Sequence, residues 1–159
     1  MSKRKKQQNP ALQYQSYLNI RLELIRENPV ECIRIKKAKD VVSALKDDFM
    51  KLPNEVFRCV HLNCKNYVLG IETISIGSAT CSIVHPREVF KGAIINNSTS
   101  LILVHNHPSG DPTPSSDDIE ITNRLVNTGD ILGIKVLDHI IFGSDDIKTF
   151  FSFADQKLI

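Results

Sequence analysis

Apolar and polar positions along this 159-residue chain group into segments that outline most of its elements. The stretch "EVFRCVHL" (55–62) has the content of a strand. "NCKN" supplies a turn, and "YVLGIETISIG" (67–77) reads as the antiparallel partner. "SLILVH" (100–105) is apolar almost throughout, the pattern of a central strand buried on both faces. "GIKVLDHIIFG" (133–143) predicts a further strand. Helices are expected for "VVSALKDDFMKL" (41–52), with Asp40 as N-cap and a stop before Pro53, and for "PREVFKGAIINN" (86–97), which opens on proline. A third, "DDIEITNRLVNTGD" (117–130), closes at Gly129. Weaker patterns predict short strands at "VECIRIKKA" (30–38) and "TCSIV" (80–84), and a short terminal helix after residue 143. Residues 1–10 are charged and amide-rich, the composition of a disordered tail, and 11–27 suit a short helix or strand. The mixed order of elements predicts an α/β fold, a three-layer α/β/α sandwich with a mixed sheet. One domain over residues 30–159 would follow a basic, partly disordered extension over 1–29.

Charge narrows the partners. The formal net charge is +2, and Lys3, Arg4, Lys5 and Lys6 all lie in the first eight positions, so without those four the formal charge is −2. No global field calls for nucleic acid. The basic opening reads as a solvated tail, with weak DNA contact as the alternative. No apolar run approaches the ~20 residues that cross a bilayer, and no signal-peptide pattern follows the charged start, so a cytoplasmic protein is expected. Cys32, Cys59, Cys64 and Cys81 form no C-x-x-C pair and are read as reduced core thiols; Cys59 and Cys64, flanking the turn, are the one pair placed to bridge.

The candidate chemistry lies in "HNHPSGDPTPSSDD" (105–118). His105 and His107, two apart at a strand end, project to the same side of an extended chain. Prolines 108, 112 and 114 with Gly110 stiffen the turn that follows, and Asp118 falls in the first turn of the next helix. Two imidazoles and a carboxylate supply three ligands and leave a fourth tetrahedral position for water, the layout of a catalytic zinc site. The same letters support a plainer reading. Ser115-x-x-Asp118 is also a helix N-terminal capping pattern that needs no metal. On chemistry alone both readings stand.

The spacing His105-x-His107, seven residues, Ser115-x-x-Asp118 matches the JAMM (MPN+) metalloprotease motif. With "HPREVFKGAIINNSTSLILVHNHPSGDPTPSSDD" and "DHIIFG", residues 30–155 closely resemble the RadC family within that superfamily. The resemblance implies a cytidine-deaminase-like α/β/α sandwich, one Zn2+ per chain held by His105, His107 and Asp118, and a peptide or protein substrate. It further implies Ser115 as a stabiliser of the developing oxyanion and a glutamate on the first core strand as general base. Glu55 holds that position, with Glu72 on the next strand as competitor. The His-x-Glu and Pro-Cys-x-x-Cys signature of zinc deaminases is absent, which argues against base deamination. RadC-like proteins often carry a helix-hairpin-helix region; none is evident here, so a short form with the JAMM domain alone is expected. His139 is placed to orient a ligand from behind or to make a structural hydrogen bond, while His61 and His85 read as structural or exposed. The functional expectation is a zinc-dependent peptidase or isopeptidase, the alternatives being a DNA-repair-associated factor or a metal-binding module without turnover.

Overall fold

The structure, a computed structural model, describes residues 33–49, 52–77, 84–143 and 149–159. Three helices, α1 (Ala38–Phe49), α2 (Pro86–Ile95) and α3 (Ser116–Leu132), accompany five strands. These are β1 (Glu55–Leu62), β2 (Val68–Gly77), β3 (Ser100–His107), β4 (Lys135–Gly143) and β5 (Phe150–Ser152). They form one mixed sheet in the order β2-β1-β3-β4-β5, with β3 and β4 parallel and the other pairs antiparallel.

The period of two in β3 decides the layering. Ile102 and Val104 face α1, where they join Val41, Val42, Leu45, Phe49, Val60 and Ile140 in one core. Leu101 and Leu103 face the other way and pack with Val89, Phe90 and Leu125 of α2 and α3. Helices therefore cover both faces, and β3 in the middle is buried along nearly its whole length. The expected three-layer α/β/α arrangement is the observed one.

Several local expectations need correction. Asp40 does not cap α1 from outside. It lies within the first turn, and its Oδ2 accepts from the amides of Lys36 and Lys37 (2.8 and 3.1 Å), so the helix starts at Ala38. "VECIRIKKA" contributes a single bridge, Arg34 to Tyr67, among the described residues. "TCSIV" lies outside them except for Val84, as do the basic tail and Cys32 and Cys81. α3 does not close at Gly129 but runs on to Leu132, capped by Gly133 in the left-handed region (φ 71°). Gly129 serves packing instead: a β-carbon there would collide with the carbonyl of Ile134 where the chain turns into β4. The expected terminal helix is replaced by β5 and a turn. Phe153 buries its ring, and Asp138 accepts from Ser152 Oγ (2.7 Å) and the Ala154 amide (3.0 Å), which holds this segment against β4. Cys59 is a buried free thiol as expected, whereas Cys64 is free but exposed. No helix among the described residues is long and apolar enough to cross a membrane.

Candidate metal centre

The parallel strand β3 ends where α3 begins, and the intervening loop folds its residues back over the strand end. A turn closed by Gly110 N–H donating to His107 C=O (3.0 Å), with Gly110 at φ 90°, starts that return. At α3 the capping reading is realised in full. Ser115 Oγ accepts from the Asp118 amide (3.2 Å), and the Ser115 amide donates to Asp118 Oδ2 (2.7 Å). Ser115 Oγ–H also donates to Asp118 Oδ2 (2.6 Å).

The metal reading is compatible with this cap, because the same carboxylate serves both. Asp118 Oδ1 lies 3.2 Å from His105 Nε2, and Oδ2 lies 3.4 Å from His107 Nε2. The two Nε2 atoms are 3.0 Å apart, and His105, His107 and Asp118 are the one group among the described residues close enough to hold a metal ion together. Ligand atoms bound to zinc at ~2.0–2.1 Å in a tetrahedron stand roughly 3.3 Å from one another. The 3.0 Å between the two Nε2 atoms, and the 3.2 and 3.4 Å from them to Oδ1 and Oδ2 of Asp118 respectively, are close to that spacing.

The donor set also fits in its protons. His107 Nδ1–H donates to the Asp111 carbonyl (2.7 Å), which leaves Nε2 to face the cluster. His105 is engaged through Nδ1, 2.8 Å from His139 Nε2, so it too presents Nε2. Two imidazole nitrogens and a carboxylate this close require a positive charge among them. A proton can supply that charge. The Asp118 hydrogen bond raises the His107 pKa against the opposing effect of burial. Burial acts to raise the Asp118 carboxyl, but hydrogen bonds with His105, His107 and Ser115 outweigh it and hold the group far below the ordinary range. A divalent cation meets the same need.

Behind the candidate ligands, His139 is fully buried on β4, and its register opposite Leu103 sets it beside His105. Its Nδ1 lies 2.6 Å from Thr122 Oγ1, which in turn donates to the Asp118 carbonyl (2.5 Å). Phe153 stacks on its ring at 5.0 Å, and Phe57 lies against both His105 and His139. Burial drives His139 well below the ordinary histidine range, so it stays neutral.

The two candidate glutamates part company. β1 pairs with β3 with Phe57 opposite His105, and continuing that register by two residues brings Glu55 level with His107 on the same face. The charge of Glu55 is accordingly felt at His107. Asn106, pointing the opposite way from its neighbouring histidines, brackets Glu55. Its Oδ1 accepts from the Val56 amide (2.8 Å) and its Nδ2 donates to the Asn54 carbonyl (3.1 Å). Glu72 is engaged elsewhere, 3.2 Å from Nε2 of the buried His61 and packed against Gly92 of α2. Burial lowers the His61 pKa despite that partner and, with Glu72 nearby, pushes the Cys59 thiol up, leaving it an inert core group. His85 is half-buried at the N-cap of α2 without a capping bond. Sequence reasoning missed Asn106 and Thr122. An asparagine between two histidines was the visible sign of the first; Thr122, four residues after Asp118, gave none.

Residues 35–158 match the RadC-like JAB domain family. The UPF0758 protein of Caldanaerobacter subterraneus subsp. tengcongensis is 58% identical over 113 residues, covering 71% of this chain and 48% of that protein. The UPF0758 protein of Desulfitobacterium hafniense is 47% identical over 135 residues, 85% of this chain and 60% of that protein. That of Moorella thermoacetica is 55% identical over 109 residues, 69% of this chain and 48% of the relative. The chain thus spans about half to three-fifths of the length of these relatives. With the family matched over nearly all of its described residues, the chain belongs to the RadC-like JAB domain family.

Proposed function

We propose that the chain is a zinc-dependent hydrolase of the JAMM type that cleaves a peptide or isopeptide bond. The observation that carries this reading is the convergence of His105, His107 and Asp118; Glu55 is read as the base because the register of β1 on β3, carried two residues past Phe57–His105, would bring it level with His107. Zinc held by the three ligands would lower the pKa of a bound water to about 7 and polarise a carbonyl oxygen.

The remaining work falls to the protein. Glu55 takes the proton of the attacking water as its oxygen bonds the carbonyl carbon, and returns that proton to the leaving nitrogen as the C–N bond breaks. Ser115 steadies the developing oxyanion. Its hydroxyl proton rests on Asp118 Oδ2, so this role requires the hydroxyl to turn toward the substrate oxygen. Phe57 and Phe153 keep the back of the site apolar, which strengthens each electrostatic contact in front of it.

The test separates a catalyst from a metal-binding module. Glu55→Gln keeps the size of the side chain but cannot accept the water proton, so zinc content and fold persist while turnover of a cleavable peptide or isopeptide falls by ~10²–10⁴. Glu72→Gln, which still offers His61 a hydrogen-bonding partner, leaves turnover near the wild-type value. Loss of turnover in the second variant with retention in the first reverses the assignment. A wild-type chain that keeps its zinc and cleaves nothing across broad peptide and isopeptide panels supports the module instead.

A further inference from the structure

We infer that Thr122 and His139 form a proton-ordered relay that fixes His105 in the tautomer able to bind a metal, which makes both positioning residues of the metal centre. The inference rests on the zinc reading above and concerns the groups behind that same site.

The order of protons follows link by link. Thr122 has one hydroxyl proton, and a carbonyl oxygen only accepts, so the 2.5 Å contact with the Asp118 carbonyl places that proton there. Toward His139 Nδ1, 2.6 Å away, the same hydroxyl is then an acceptor, and His139 carries its proton on Nδ1. His139 Nε2 is left bare. It lies 2.8 Å from His105 Nδ1, which must donate. With its Nδ1 proton given to His139, His105 can hold a second proton only on Nε2, the atom that faces His107 and Asp118, and that is the proton a metal would replace.

The contacts close into a ring. They begin at the backbone carbonyl of Asp118, pass through Thr122, His139 and His105, and return to the Asp118 side chain. One residue of α3 thereby supplies a candidate ligand and sets the proton arrangement of another. A ligand histidine is usually backed by a carboxylate or a backbone carbonyl. Here a neutral imidazole takes that place, so the ring adds no second negative charge, and an ion held by two neutral histidines and one aspartate would keep more of its Lewis acidity.

The hydroxyl of Thr122 is the link that can be removed with least change of shape. Thr122→Val leaves His139 Nδ1–H buried without an acceptor. The strain is relieved if His139 moves its proton to Nε2 and donates to His105 Nδ1. That in turn puts the His105 proton on Nε2, where it blocks the metal. Thr122→Ser retains the hydroxyl and the relay.

The experiment uses the full chain and two readouts that do not involve turnover. Zinc affinity is measured by competition with a chromophoric chelator for the wild type, Thr122→Val and Thr122→Ser at one pH. Long-range 1H–15N NMR, before and after metal removal, reports which ring nitrogen of His105 and His139 is protonated. Expected are Nδ1 protons on both histidines in the wild type, a zinc affinity ~10–100-fold weaker in Thr122→Val, and near-wild-type affinity in Thr122→Ser. A proton on His139 Nε2 in the metal-free wild type overturns the inference, and so does wild-type affinity in a folded Thr122→Val. If Thr122→Val fails to fold, the wild-type spectra decide alone. The predicted tautomers in a chain that hydrolyses nothing would overturn the hydrolase reading and leave the relay standing; the wrong tautomers in an active chain would do the reverse.

Discussion

Replacing Asn106 by alanine measures how firmly the strand end that carries Glu55 is tied to the strand that carries the histidines. Asn106 is only 2% exposed, and its carboxamide accepts from the Val56 amide at 2.8 Å and donates to the Asn54 carbonyl at 3.1 Å. Its removal leaves the buried Val56 N–H without a partner, a cost of ~1–3 kcal/mol. The Asn54 carbonyl lies nearer solvent, so water can replace that bond and the added loss is about 0.5–1 kcal/mol. A total of roughly 1.5–4 kcal/mol corresponds, at about 2–4 °C per kcal/mol for a chain of this size, to a fall in Tm of about 3–16 °C. Asn63 provides the control. Its Oδ1 accepts from two amides, Lys65 (2.9 Å) and Tyr67 (3.0 Å), but in a turn that water reaches. Asn63→Ala is therefore expected to cost about 1 kcal/mol. Urea unfolding of both variants against the wild type, with matching m-values, gives the comparison. Equal losses in the two would refute the argument that burial, and not the number of hydrogen bonds, sets the cost.

Other outcomes follow from the same structure. His105→Ala and His107→Ala should each abolish stoichiometric zinc, read by metal analysis of purified protein; full occupancy in both would sink the ligand assignment. Gly129→Ala should lower Tm in calorimetry even though alanine is favoured over glycine in a helix by about 1 kcal/mol, because its β-carbon meets the Ile134 carbonyl; an unchanged or raised Tm would contradict this. DNA binding, if measured, should be weak, salt-sensitive and lost on deleting residues 1–8, which carry Lys3–Lys6. Tight, sequence-specific binding by the truncated chain would restore the DNA reading.

The sheet and its helices were legible because their signals are local. β3 announces itself as an apolar run, α2 by its leading proline, and β1 and β2 by the turn between them. His105, His107 and Asp118 were legible because strand period and helix start bring them together within one short stretch. What failed depended on distant contacts. Gly129 looks like a stop signal until the Ile134 carbonyl is seen to need its missing side chain. β5 is three residues long and exists because Asp138 and the phenylalanines hold it, which no local propensity reveals. Thr122 was silent for the same reason, its partner His139 being 17 residues away on another element. The choice of Glu55 over Glu72 as candidate base rested on strand order, and in the structure it is His61 that engages Glu72.

Asp118 belongs at once to the helix cap and to the candidate metal cluster, and this has a consequence for experiment. Two events that share one carboxylate are thermodynamically linked: the factor by which an intact cap improves metal affinity equals the factor by which the ion favours the formed cap. Amide hydrogen exchange at residues 115–119 should therefore slow on zinc addition and quicken under a chelator. Ser115→Ala, the obvious probe of oxyanion stabilisation, cannot be read from rates alone, since it frees the first turn of α3 as well as removing a hydroxyl. Only the rate measured at saturating zinc, set beside exchange in the same variant, separates a lost catalytic contact from a loosened helix.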